Sequence, residues 1–197
     1  MTRQLTILFL ALCLAFTAMA QTPVADRDAV LARIVAAQKP QAGKTQNYAF
    51  TQTKHSPMLT HDAVSHGTLT LVGERRMRWH YSDPTDLSLV VEGDTVYTET
   101  NGQRRPLSGA AGAATRGMAQ TMMTLASGNG LADEKLFAVE LTEDASSYHA
   151  LLTPKRRDMR RMMQQVYVVF NKKDCRIKSV KLVENSDSYT LIEFKAK

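Results

Sequence analysis

The most constraining feature of this chain is a change of period. From Asn47 onward, apolar side chains recur at every second position in short runs, and turn-forming residues separate the runs. Met77, Trp79 and Tyr81 alternate with Arg76, Arg78 and His80, which gives a strand one apolar and one polar face. Pro84 closes that strand, because proline lacks the N–H that a ladder needs. Tyr48, Phe50 and Gln52, then Leu69 and Leu71, keep the same alternation. Leu87 to Val91, Thr95 to Thr100 and Gln103 to Leu107 are three more short strands, with turns at Glu92-Gly93-Asp94 and Asn101-Gly102. Asn-Gly is a strong hairpin signal because both residues tolerate positive φ. Further strands are expected at Leu136–Leu141, Tyr148–Thr153, Gln164–Phe170, Arg176–Glu184 and Ser188–Lys195. So many short antiparallel strands in one domain predict a large sheet curled into a barrel or half-barrel.

Two segments depart from this pattern. Asp26 to about Gln38 carries Val30, Leu31, Ile34 and Val35 at helical spacing, and Pro40 and Gly43 end it. Gly109 to Gly130 is rich in Ala, Gly and Met, and within it Thr115 to Ser127 can form a helix. Met118, Met122 and Leu125 fall on one side of that helix, with Met123 adjacent. Gly112, Gly128 and Gly130 leave its flanks free to pivot, so the segment reads as a lid inserted between strands.

The N-terminus adds a location. Arg3 supplies a positive start, Leu5 to Phe16 an apolar stretch, and Ala18-Met19-Ala20 a small-x-small cleavage site. The apolar stretch is shorter than the about 20 residues a spanning helix requires. Residues 1–20 are therefore expected to be a signal peptide cleaved after Ala20, leaving 21–197 as one exported domain in the periplasm; an uncleaved N-terminal anchor is the alternative. Cys13 would leave with the leader, and Leu12 before it argues against lipid attachment there. Cys175 then stands alone and is expected to be buried on a strand beside Ile177, where a free thiol packs as a small hydrophobe.

Catalytic motifs are scarce. His55, His61 and His66 share a polar stretch with Asp62, but their spacing fits no recognised zinc pattern, and exposed loop histidines are the expectation. No phosphate-binding loop, nucleophile elbow or metalloprotease motif occurs in the sequence. No catalytic residue, metal or cofactor is assigned, and the chain is not expected to be an enzyme. The cluster Lys155-Arg156-Arg157-Asp158-Met159-Arg160-Arg161 lacks the aromatics of a nucleic-acid surface. Nucleic acid is therefore not an expected partner. A solvated hairpin loop is one reading of the cluster; docking through Arg156, Arg157, Arg160 and Arg161 to an acidic partner or anionic membrane is the other. Two methionine groups, Met118/Met122/Met123 and Met159/Met162/Met163, are either core filling or a flexible surface for apolar ligands.

Several runs, taken in order, resemble one family. They are Phe50-Thr51-Gln52, Gly67-Thr68-Leu69-Thr70-Leu71, and Met77-Arg78-Trp79-His80-Tyr81 with Pro84. Leu89 to Tyr97, Leu152-Thr153-Pro154-Lys155 and Tyr189 to Phe194 continue the series. Together they resemble the periplasmic outer-membrane lipoprotein carrier proteins (LolA-type) from about Asn47 to Lys195. The resemblance implies a fold that is mainly β with helices: an incomplete antiparallel β-barrel with an N-terminal helix and a helical lid over an apolar cavity. It also implies a carrier that receives acylated lipoproteins from an inner-membrane ABC exporter and delivers them to an outer-membrane acceptor; nothing in the sequence calls for an obligate oligomer, and a monomer is expected. A non-transferring lipid- or protein-binding module of the same fold is the alternative. Many members carry a basic residue followed by proline, a lid latch, where this chain has Gly73 and Glu74. The expected acyl-chain cavity comprises Phe50, Leu69, Leu71, Met77, Trp79, Tyr81, Leu89 and Val91, and the expected lid residues are Met118, Met122, Met123 and Leu125. Whether those strand faces point into a cavity or pack behind the sheet stays open at this stage.

Overall fold

A computed structural model describes residues 21–39, 45–73 and 75–196. The expected leader, the helix-ending pair Pro40 and Gly43, and Glu74 lie outside the described residues. The chain begins with a two-residue strand, β1 (Thr22–Pro23), and a helix, α1 (Arg27–Gln38). Asp26 caps α1, its carboxylate accepting the Ala29 N–H at 3.0 Å, which satisfies one of the donors a helix start leaves free. Six strands follow as an antiparallel meander: β2 (Thr45–His55), β3 (Ala63–Val72), β4 (Arg76–Asp83), β5 (Leu87–Glu92), β6 (Thr95–Thr100) and β7 (Gln103–Pro106). Asn101 and Gly102 both take positive φ, 51° and 73°, in the tight turn between β6 and β7, as the Asn-Gly pair predicts.

Then come α2 (Gly109–Ala126), the one-turn α3 (Asn129–Ala132), β8 (Phe137–Glu143), β9 (Ser147–Pro154) and the one-turn α4 (Arg157–Arg160). The strands β10 (Gln165–Asn171), β11 (Ile177–Asn185) and β12 (Ser188–Ala196) complete the chain. All twelve strands form one antiparallel sheet in the order β1-β8-β9-β10-β11-β12-β2-β3-β4-β5-β6-β7. β1 and β7 do not pair with each other, so the barrel is open. The exposed edge strand β7 carries Arg104 and Arg105 and ends in Pro106, features that discourage edge-to-edge pairing.

Two rows of buried side chains lie on one face of the sheet: Val96, Val91, Met77 and Leu71 on one half, and Ile192, Val180, Val168 and Ala150 on the other. The helices cover this face. Ile34 of α1 and Phe137, Leu152, Val166 and Phe170 of the sheet are completely or almost completely buried on one half. Met122, Leu125 and Ala126 of α2 pack near Leu69, Leu71, Val180 and Phe194 on the other.

Four expectations are corrected. α2 starts at Gly109 rather than Thr115, so Gly112 lies inside the helix instead of flanking it. Gly112 and Gly128 are also packing positions rather than free pivots. A Cβ on Gly112 would meet the Leu107 backbone at 2.8 Å, and one on Gly128 the Val35 carbonyl at 3.0 Å. Cys175 is buried as expected, but it sits in the turn before β11 with φ 58°. Its N–H donates to the Asn171 carbonyl at 2.8 Å, and its own carbonyl accepts from the Gln38 side chain, which closes the turn onto α1. Finally, His55 and His66 stand on β2 and β3 rather than in a loop; Asp62 pairs with His55 at 2.7 Å and Thr51 with His66 at 3.2 Å.

Candidate functional site: a cavity under helix α2

Between α2 and the sheet lies a cavity of about 460 Å³. Met77, Trp79, Tyr81 and Leu89 form its floor on one side, and Leu182 and Ile192 form it on the other. Met118, Ala119 and Met122 of α2 and Met162 of the β9–β10 loop close it from above. The alternation seen in the sequence explains the floor. Antiparallel pairing sets Trp79 opposite both Leu69 and Leu89, so one apolar stripe crosses the strands at this depth.

Behind the floor the aromatic rings interlock. The Phe50 ring lies 5.0 Å from Trp79 and 5.4 Å from Tyr81, the latter edge-on, the geometry that ring quadrupoles favour. Gly67 makes this possible: a Cβ there would fall 1.9 Å from the His80 carbonyl oxygen and 2.7 Å from the Phe50 ring. The β3–β4 register shifts at the same point. Burial pushes the Tyr81 phenol above its usual pKa, although its hydroxyl donates to the Gln52 side chain at 3.1 Å. Among the described residues, the indole N–H of Trp79 is buried without a hydrogen-bond partner.

The expected site residues separate into groups. Met77, Trp79, Tyr81, Leu89, Met118 and Met122 border the cavity. Leu69, Leu71 and Leu125 border a much smaller void of about 20 Å³ further along α2, which Met122 also touches. Phe50 and Val91 are buried at 3% and 2% exposure, Phe50 against the aromatic floor and Val91 between Met77 and Val96. Met123 is buried in the core and borders neither space.

The second methionine group also splits. Met159 and Met163 are core residues, whereas Met162 reaches the cavity and rests its thioether on Gly117 of α2, a position where a Cβ would stand 3.0 Å from the sulfur. The four arginines do not share one environment either. Arg156 pairs with Asp158 at 2.5 Å, and Arg160 donates to the Pro154 and Lys155 carbonyls. Arg157 is exposed, and Arg161 borders the cavity. Leu182, Ile192 and Thr190 belong to the cavity but were not among the expected site residues. Their strands were legible, but the pairing of β12 with β2, which brings both strands to the cavity, was not.

The family assignment follows from this architecture and from the sequence. The chain belongs to the outer membrane lipoprotein carrier protein LolA family, whose model matches residues 42–196. Members of this family are periplasmic or exported, and their fold is a binding and chaperone module. Among curated proteins, no sequence matches the chain. The solved structures it resembles include a LolA superfamily protein from Nitrosomonas europaea, with 10% identity, a TM-score of 0.43, and coverage of 85% of this chain and 90% of that one. A DUF1329 family protein from Desulfovibrio piger shares 10% identity at a TM-score of 0.49, covering 88% and 92%. MucB, solved in complex with MucA, shares 13% identity at a TM-score of 0.43, covering 86% of this chain and 54% of that one. Among the described residues, no helix is long and apolar enough to cross a membrane.

Proposed function

We propose that residues 1–20 direct export, that the domain 21–197 works in the periplasm, and that it carries the acyl chains of lipoproteins from the inner to the outer membrane. The observation that carries this reading is the methionine-lined cavity between α2 and the sheet, in a chain of the LolA family. Met118, Met122 and Met162 are unbranched and polarizable, which suits an apolar ligand whose chain length and kinks vary. Each buried methylene contributes about 0.8 kcal/mol, so burial of part of one chain already gives useful affinity.

In this reading α2 and the β9–β10 loop are the lid. A lid that closes over acyl chains and opens at an acceptor needs two states close in free energy and no covalent chemistry. The inner-membrane ABC exporter and outer-membrane acceptor enter as the partners such a carrier requires. Arg156 and Arg157, both exposed, are the residues offered to an acidic face of either partner. One observation favours the second reading, a module that binds acyl groups without transferring them: Gly73 and Glu74 stand where many carriers have the basic-proline latch.

The two readings part in a reconstituted transfer. Purified mature protein is mixed with a triacylated lipoprotein, cleared of membranes by centrifugation, and then given outer-membrane vesicles. A carrier keeps the lipoprotein in the supernatant and releases it to the vesicles. A non-transferring module keeps it soluble and does not release it. A lipoprotein that sediments with or without the protein contradicts both.

A further inference from the structure

The cavity under α2 has a polar end, and strand register places it. Inward-facing side chains on β2 run Phe50, Gln52, Lys54; on β11 Leu182 is followed by Glu184; on β12 Thr190 precedes Ile192. Pairing sets Lys54 opposite Thr190, Thr190 opposite Leu182, and Gln52 opposite Ile192, so the polar members gather at one end of the three strands. The Gln164 N–H donates to the Val183 carbonyl at 2.7 Å, which brings the β9–β10 loop to that same end. Arg161 and Lys54 both border the cavity there.

The charges at this end are unequal. Lys54 lies 3.5 Å from Glu184, and Glu184 also accepts from the Thr190 hydroxyl at 3.3 Å. The Tyr81 hydroxyl occupies Gln52, and the Thr115 hydroxyl is turned to the Ala111 carbonyl. The Arg161 guanidinium, by contrast, makes no ion pair with a described residue. One carboxylate therefore faces two cations, beside an apolar space of about 460 Å³ that falls within the about 300–1,000 Å³ typical of small-molecule sites.

We infer that this cavity takes an anionic amphiphile, its acyl tail among Met77, Trp79, Met118 and Met162 and its carboxylate or phosphate head on Arg161. The inference rests on the acyl-binding reading above and adds the head-group charge to it. Guanidinium is the side chain best shaped for either head, since its planar fork donates two parallel hydrogen bonds to carboxylate or phosphate.

Three ligands with the same tail test this by titration calorimetry: lauric acid, lauroyl lysophosphatidylglycerol and uncharged monolaurin. At low salt at least one anion is expected to bind about fivefold tighter than monolaurin, a difference at the upper end for an exposed ion pair. Which anion shows the preference identifies the head, and the preference should shrink as salt rises. Arg161→Gln should abolish it, Arg161→Lys should retain part of it, and Glu184→Gln should enlarge it by removing the competing carboxylate. Lys173→Gln, in the exposed turn between β10 and β11 and away from the cavity, should change nothing. Equal binding of all three ligands, unaltered in Arg161→Gln, would overturn the head-group assignment and leave the acyl reading standing. Binding of none would overturn both.

Discussion

Two glycines of the site make opposite demands on their surroundings. At Gly67 the neighbour that a Cβ would strike is backbone, the His80 carbonyl at 1.9 Å, and backbone in a sheet cannot step aside. Gly67→Ala is expected to lower stability by about 3 kcal/mol, the upper range for overpacking, and thermal unfolding will read it. At Gly117 the neighbour is the flexible end of Met162 at 3.0 Å. Replacing a helix-interior glycine by alanine contributes about 0.5–1 kcal/mol, so Gly117→Ala should leave the melting temperature unchanged or higher. The sequence showed both glycines but not the difference between them, because it lies in strand and loop partners distant along the chain. Arg161 teaches the same lesson. Five cations in one short run read as one patch, yet Asp158 takes Arg156 and backbone carbonyls take Arg160, leaving Arg161 to face the cavity.

At the scale of elements, the strands were the most legible part. Thr95–Thr100 matches its expected span, and the other expected strands fall within a few residues of theirs, because alternation and turn residues act locally. α2 was legible only over its methionine half. Its first turns are Ala and Gly without apolar periodicity, and packing of Gly112 on Leu107 stabilises them instead. The methionines of α2 and of the following loop divide between ligand and core. Met118→Gln or Met162→Gln should weaken acyl binding with little loss of stability, since both side chains are half-buried and border the cavity. Met163→Gln buries an amide where the side chain is fully enclosed, and should cost about 1–3 kcal/mol while leaving affinity unchanged in the protein that remains folded. Titration combined with denaturant unfolding separates the two effects.

The turn between β8 and β9 contributes to the acid limb of stability. Asp144 there pairs with His149 Nε2 at 2.8 Å and accepts the backbone N–H groups of Ser146 and Ser147, and these bonds hold its carboxyl far below the usual carboxylate range. A group depressed on folding stabilises the fold at pH values above its unfolded pKa, about 3.9 for Asp, and that contribution is lost as pH falls toward the folded value. Asp144→Asn should therefore be less stable than wild type at pH 7, with the gap closing as the pH drops below 4. Denaturant midpoints taken between pH 7 and pH 2 check the sign; a gap that widens in acid would contradict it.

The whole molecule depends on pairings that local sequence does not encode. β12, the last strand, inserts beside β2 and joins the two halves of the sheet, so Lys54 meets Thr190 and the cavity has a floor from both ends of the chain. Open-barrel class and apolar stripe were readable from strand count and alternation. The location of the cavity was not, since it also requires the crossing of α2 and the seating of Met162 on Gly117. The direct test of an acyl-binding cavity uses Trp79, the sole tryptophan of the chain and part of the cavity wall. The protein is titrated with a diacylated lipopeptide whose chains carry bromine, a quencher that acts only near contact with the indole. Saturable quenching of Trp79, weakened in Met118→Gln and Met162→Gln, is the predicted result. A lipopeptide that binds by calorimetry yet leaves Trp79 emission unchanged would contradict it.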